Sequence, residues 1–375
     1  MKSTTCNRPV ESTTPSAACF GKSMHDTCRA TLCIVALCIV ALNTAANADD
    51  FPSAPQGTFS IAVIPDTQHY RGGAANEKPK TANPVTNPVF DSYATWISRN
   101  LDEQRIAFVS HVGDIVDVNN QEQWAVARQM MDKLHGRVPY GISVGNHDMV
   151  RSGDSSLFQE FFPASRYEKY DWYGGHFKGT RGSVSGNNAN SFQLFSAEGF
   201  DFVFLHLECN APDDVLAWAD GILKTHSDRR ALITTHMGLG PRGKPEEAQD
   251  YFDAPKGRMQ WKKCHGDRGN TPQQMWDKCF RKHPNLFMIC CGDQSRTQAM
   301  HQTSSVEHGN PVHEVLSDYG ANGLRVMRFV PQKNRIEVRT WIPSKNKFCK
   351  STKIVPDVDE HQFNLRYDMT AAFKQ

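Results

Sequence analysis

Five residues able to do chemistry recur at one kind of place in this sequence. Asp66 lies in Ile64-Pro-Asp-Thr-Gln-His-Tyr70 and Asp114 in His111-Val-Gly-Asp-Ile-Val-Asp117. Asn146 and His147 lie in Val144-Gly-Asn-His-Asp148, and His236 in Ile233-Thr-Thr-His-Met237. Each segment begins as a short apolar run of strand type, and its polar residues follow that run. A two-metal hydrolytic site needs one carboxylate that can bridge two cations, with Asp, Asn and His around it. Taken singly the signals differ in weight. Asp66-Thr67-Gln68 could be a turn-forming Asx motif, and a lone His236 is more often structural. Gly145-Asn146-His147-Asp148 is the most specific, and the series in order, each member behind a strand, carries the reading.

The order and spacing resemble the calcineurin-like metallophosphoesterase family. The resemblance implies two divalent metal ions. Asp114 would bridge both, Asp66 and Gln68 would bind the first, and Asn146 and His236 would bind the second. His147 would act as general acid or charge stabiliser at the leaving oxygen, oriented and charged by Asp117. The family's last motif is Gly-His-x-His, and the matching place reads Gly292-Asp293-Gln294-Ser295-Arg296. Both histidines are missing. Asp293 can replace the first as a metal ligand, and Ser295 is a poor replacement for the second. Such an oxygen-rich shell favours Mn²⁺-like ions among Mn, Fe, Mg and Zn, and one site would be weaker. Arg296, close in sequence to Asp293, suits either a substrate phosphate oxygen or a solvated surface position. A similarity to the exported branch that begins Pro-Asp-Thr-Gln extends through Asn190-Ser-Phe-Gln-Leu-Phe, Trp218-Ala-Asp, Asp318-Tyr319 and His361-Gln-Phe363.

The elements that must position these residues alternate. Phe59–Ile64, Ile106–His111, Tyr140–Val144, Phe200–Leu207, Ala231–Thr235 and Leu286–Cys291 read as buried strands. Phe90–Glu103, Gln121–Leu134, Pro212–His226 and Thr271–Lys282 read as helices. Gly323–Val330 and Arg335–Ile342 alternate around Pro331–Asn334 as a late β-hairpin. The class is layered α/β, and the resemblance makes it an α/β/β/α sandwich flanked by helices. Candidate ligands at strand C-termini are where open α/β sheets place their sites. Two site-edge loops, 149–190 and 237–270, interrupt the rhythm; the first is rich in aromatics and suits either substrate specificity or a satellite core.

Residues 1–48 read as a signal peptide. An apolar run from Ala30 to Leu42 follows Arg29 and precedes Ala46-Asn47-Ala48. The run is shorter than the roughly 20 residues of a membrane span, so no stable membrane anchor is expected. Residues 49–375 then form one domain in a secreted or periplasmic protein. The whole chain carries 42 basic and 40 acidic side chains. The leader removes Lys2, Arg8, Lys22 and Arg29 against Glu11 and Asp26, leaving the rest near neutral. No nucleic-acid partner is expected. Of the cysteines outside the leader, Cys264 and Cys279 are the preferred disulfide pair because both lie outside the buried strands.

The expectation is therefore an exported metal-dependent phosphoesterase, acting on a phosphorylated substrate, mono- or diester, through a metal-bound hydroxide. The alternative is a non-catalytic binding protein on the same scaffold with a degraded metal site.

Overall fold

The apolar runs become strands because both of their faces are covered. The computed structural model describes residues 50–73, 83–180, 184–239, 262–307, 309, 311–319 and 323–370. The leader, part of the second site-edge loop and the extreme C-terminus lie outside the described residues. All described residues belong to one unit, Ala46–Gln375.

In the first sheet, β1 (Phe59–Ile64) is buried at every position and runs parallel to β2 (Ile106–His111), which runs parallel to β3 (Tyr140–Ile142). On its other edge β1 pairs antiparallel with a long meander. This contains β11 (Leu324–Val330), β12 (Arg335–Ile342), β13 (Lys347–Phe348) and β14 (Gln362–Arg366), with β13 and β14 both on β12. The second sheet runs in the order β4 (Tyr173–His176), β5 (Ser191–Ala197), β6 (Phe200–Leu207), β7 (Arg230–Thr235), β8 (Leu286–Cys291), β10 (Val312–Ser317) and β9 (Ala299–Ser304). Its β6, β7, β8 and β10 are parallel.

The helices cover the outer faces. α1 (Pro88–Arg99) buries Phe90, Tyr93, Ala94 and Ile97, one stripe at helical spacing. It packs with α2 (Gln121–Asp132) over Ala62, Ile64 and Val109 of the first sheet. α4 (Asp213–Thr225) places Val215, Leu216, Ala219 and Leu223 on the second sheet, beside Met275 of the helix Pro272–Lys278. Between the sheets lies a layer dominated by phenylalanine, including Phe59, Phe108, Phe195, Phe202, Phe204, Phe287 and Phe329. This is the layered α/β/β/α order the sequence implied.

One polar network crosses that layer. Ser110 Oγ lies 3.0 Å from His206 Nε2 and 2.8 Å from Thr234 Oγ1, and His206 Nδ1 donates to Gln193 Oε1 at 2.7 Å. Burial pushes the His206 imidazole down to about 3, so the ring is neutral. Gly141 makes room for it, since a Cβ there would fall 2.2 Å from Nδ1.

Several expectations change. Thr271–Lys282 is not one helix: after a capping box on Thr271 and Gln274 the helix ends at Lys278, and Phe280–Lys282 is a 3₁₀ turn. Within 149–190 lie α3 (Ser156–Phe161) and β4, and Phe158, Phe162 and Tyr167 are buried against Trp124 and Tyr140. Those three aromatics are core residues. Cys264 belongs to the same packed cluster as Cys209, whereas Cys279 packs beneath α4 with His283 Nε2 3.9 Å from its sulfur. The preferred Cys264–Cys279 pair is therefore not formed; all six described cysteines are buried free thiols.

Candidate metal centre

All the parallel strands of both sheets deliver their C-terminal ends to one rim. Asp66 follows β1, Asp114 follows β2, Asn146 and His147 follow β3, His236 follows β7, Asp293 follows β8, and Asp318 follows β10. Three contacts join the sheets there. His236 Nδ1 donates to Val112 O at 3.0 Å, Cys209 N donates to Val144 O at 2.7 Å, and Asp293 N donates to Asp66 Oδ2 at 3.2 Å.

The turns are held by the elements they connect. Asn87, whose side chain caps α1 by accepting from Phe90 N, also donates to Thr67 O at 2.6 Å. The Thr67 hydroxyl donates to Ile115 O at 3.0 Å and lies 3.1 Å from His111 Nε2. Gln123 of α2 accepts from the Asp117 and Val118 N–H groups. Buried Asp148 accepts from Gly145 N at 2.8 Å and Val116 N at 3.1 Å, which fixes the Asn146–His147 turn. Asp114 and Asp293 both adopt left-handed backbone, with φ 50° and 60°, uncommon for residues other than glycine and concentrated at functional sites.

Asp66, Asp114 and His236 bring one ligand atom each within 4.8 Å of one another, all buried. His236 Nε2 lies 3.2 Å from Asp114 Oδ1, 3.6 Å from Asp293 Oδ1 and 3.9 Å from Asp66 Oδ2. Because Nδ1 is committed to the Val112 carbonyl, Nε2 is the atom offered to a ligand. Asp66 Oδ1 is buried and makes no hydrogen bond, a costly condition for a polar atom unless a cation satisfies it, and His236 Nε2 is buried with carboxylate oxygens around it. Gly292 keeps the space open, since a Cβ there would meet Asp66 Oδ1 at 2.2 Å. The donor set is oxygen plus one imidazole nitrogen, which suits divalent metal ions.

Electrostatics agree. Burial and then the Asp318 carboxylate push Asp66 well above the usual carboxylate range. For Asp114 burial acts upward, but His236 and His147 outweigh it and hold the group low. For His236 burial acts downward, and Asp114 and Asp66 overcome it and hold the imidazole high. Several carboxylates around one histidine form a concentration of negative charge that a divalent cation would relieve.

The remaining candidates fall as follows. Gln68 turns its amide nitrogen to Asp114 Oδ2 at 2.8 Å, so its oxygen faces away from the bridge position; the opposite amide orientation is needed for ligation. Asn146 is buried between Gly145 and His147. His147 N donates to Asp114 Oδ1 at 2.8 Å. Its ring meets Asp117 through the main chain first: Nδ1 lies 2.7 Å from the backbone carbonyl of Asp117 and 3.8 Å from the Asp117 carboxylate. Ser295 and Arg296 are exposed. Asp318, to which the sequence reading gave no role, lines the same cleft of about 230 Å³ as Asp66, Gln68, Asp117 and Ser295. Its only signal was its place in the Asp318-Tyr319 pair.

The model of the calcineurin-like phosphoesterase family matches residues 59–262, more than half of the chain, and the chain belongs to that family. It is 27% identical over 343 residues to the uncharacterised protein YvnB of Bacillus subtilis, covering 87% of this chain and 23% of that one. The chain thus spans about a quarter of the length of this curated relative. Among solved structures, it is similar to a dimetal phosphatase from Danio rerio (12% identity, TM-score 0.40, covering 75% of this chain and 95% of that one). It is also similar to GAP50, the anchor in the inner membrane complex of Plasmodium (10% identity, TM-score 0.42, covering 84% and 90%).

Proposed function

We propose that this chain is an exported phosphoesterase that hydrolyses a phosphate mono- or diester at the Asp66–Asp114–His236 cluster. Family membership supports a metal-dependent phosphoester hydrolase with a dimetal centre. The observation that carries the assignment to these residues is the buried Asp66 Oδ1, which makes no hydrogen bond, gathered with Asp114 and the buried His236 Nε2 within 4.8 Å.

In this reading Asp66, Asp114, Asn146, His236 and Asp293 hold the ions, with Gln68 as a further donor once its amide is turned. Bound there, the ions would polarise the phosphoryl oxygens and lower the pKa of water. His147 has the geometry of a proton donor. The Asp117 carbonyl accepts from Nδ1–H, so Nε2 is the ring atom left to face the leaving oxygen, to which it can give a proton when the ring is the imidazolium. Its backbone N–H on Asp114 ties its position to the bridging carboxylate. Arg296 is exposed, as a substrate-facing side chain must be. Export rests on the sequence of residues 1–48; among the described residues no helix is long and apolar enough to cross a membrane.

The departure at Asp293–Ser295 motivates a second reading, a binding protein that keeps the scaffold without turnover. Phosphate release from 4-nitrophenyl phosphate with and without added Mn²⁺, beside a metal-content measurement, separates the two. Metal-dependent release supports the enzyme. Bound metal without release against a panel of mono- and diesters supports the binding protein.

A further inference from the structure

A second cavity adjoins the metal cleft and is larger than it, about 540 Å³ against 230 Å³. It lies within the range of small-molecule sites, roughly 300–1,000 Å³. Gln298 lines both cavities, and its Oε1 is buried without a hydrogen-bond partner. The two cavities also share a floor. Ala299, Tyr319, Ile342 and Cys349 form one packed cluster; Tyr319 faces the metal cleft, and Ile342 and Cys349 face the second cavity.

The charge of this cavity sets it apart. Lys345, Lys347, Lys350 and Lys353 line it, four cations within nine residues that contain no acid. The whole chain balances 42 basic against 40 acidic side chains, so this is a local concentration and not a reflection of overall composition. Among the described residues no carboxylate pairs with Lys345, Lys347 or Lys353. Like charges gathered around a concave surface repel one another and focus a positive potential into it.

The loop that carries them is anchored. Cys349 N donates to Thr340 O at 2.9 Å, and Gln362 Nε2 donates to Cys349 O at 2.7 Å. Thr352 Oγ1 accepts from Ile354 N and Val355 N, and Thr352 N donates to Val355 O. The cradle is therefore formed before any ligand arrives, which lowers the entropic cost of binding.

We propose that this lysine-lined cavity binds a second phosphate group of the substrate while the scissile phosphate sits at the metal cluster. The inference rests on the phosphoesterase reading and names its substrate class: small organic bisphosphates. Ammonium groups on flexible stems suit a phosphate whose orientation varies. Phe348 and Ile354 beside them offer apolar contact to the carbon skeleton between the two phosphates. The concave shape favours a small anion over the flat surface of a bilayer.

Two arms test this. The first measures kcat/KM on aryl phosphates that carry, or lack, a second phosphate on a methylene linker of varied length. The expected result is a preference of about tenfold for one linker length, near what two exposed ion pairs supply. Lys347→Gln with Lys353→Gln should abolish the preference and leave the singly phosphorylated substrate within about twofold of its wild-type rate. Salt at about 1 M, where the Debye length is about 3 Å, should do the same. Equal rates on both substrates, or a preference unmoved by the lysine changes, overturn the proposal. The second arm keeps the cavity separate from catalysis. Inorganic tripolyphosphate is titrated calorimetrically into metal-stripped protein. Binding that survives metal removal and is lost in the double lysine variant supports the cavity even if no turnover is found, in which case only the enzyme reading fails. No binding, or binding unaffected by the lysine changes, overturns it. Binding to vesicles of anionic phospholipid, with no tripolyphosphate binding, would assign the lysines to a membrane surface and also overturn it.

Discussion

Two turns at the same rim are built on different terms. Gly145–Asp148 is closed on itself: Asp148 accepts from Gly145 N and Val116 N, and His147 N reaches Asp114. Gly292–Arg296 is held through its backbone, and Gln294 O accepts from Thr297 N and Gln298 N at 2.7 and 2.8 Å. Asp293 N donates to Asp66, Gly292 N to His236 O, and the chain then winds through Gln294 to exposed Ser295 and Arg296. The first turn matches the family pattern residue for residue, and the second lacks both of its histidines. The turn that carries His147 is fixed by a buried side chain, Asp148, and the other by main-chain contacts. The turn that carries Asp293 has room to change, because replacing its side chains disturbs fewer backbone partners.

Breaking what the turns share should have the largest effect. Asp114 touches His236, Gln68 and the His147 backbone, so Asp114→Asn should lower bound metal and turnover together, the latter by about a hundredfold or more. Normal metal content by plasma emission, with normal phosphate release, would remove Asp114 from the centre. Next, His147→Ala should cut kcat by about 10²–10⁴-fold with metal content unchanged; loss of metal would show that His147 is a ligand. Asp117→Asn should cost much less, because the contact that sets the tautomer comes from the main chain.

The stability contrast is smaller. Asp148→Ala strands two buried N–H groups, each worth about 1–3 kcal/mol, and should lower the melting temperature clearly. Asp293→Ala leaves its own backbone N–H on Asp66 in place and should melt near wild type. Equal melting losses would erase the difference between the turns. Asp293→His, alone and with Ser295→His, should then move metal preference from Mn²⁺ toward Zn²⁺ without a large change in melting. If neither variant alters preference, and Asp293→Ala keeps its metal, Asp293 is not a ligand.

The smallest effect at neutral pH serves as a control outside both turns. His206 stays neutral in the folded state with a value of about 3, against roughly 6.5 when unfolded. Between those values the unfolded chain binds the additional proton, so stability is intact above pH 6.5 and falls as pH drops toward 3. The slope is about 1.4 kcal/mol per pH unit for this one group. His206→Gln should flatten the acid limb of a melting-temperature profile by that amount while leaving metal binding untouched.

How much of this was legible in the sequence depended on what encodes each part. β1, β2, β6 and β8 were placed to the residue, because a strand covered on both faces writes itself as a near-continuous apolar run. Asp318 was given no role because its strand does not read that way. Val312–Ser317 is fully buried yet contains His313 and Glu314, whose polar atoms are satisfied by Thr303, Gln302 and the Arg366 carbonyl. The family motif located Asp117 near His147 but could not say that the carbonyl, not the carboxylate, makes the close contact. The lysine cavity is a tertiary feature: four lysines in a row of nine read as a solvated loop until Gln298 and the Tyr319 cluster are seen behind them.

The position of β1 has a consequence for how the chain comes to be folded. This first strand of the domain lies between β2, about fifty residues on, and β11, which begins at Leu324. Until the final meander arrives, β1 carries a bare hydrogen-bonding edge, and the phenylalanine layer lacks Phe329 and Phe363. Pairings of such long sequence separation are slow to form. A nascent chain stopped short of Leu324 therefore cannot complete its first sheet. The molecule completes the sheet that carries Asp66 only after nearly all of it has been made.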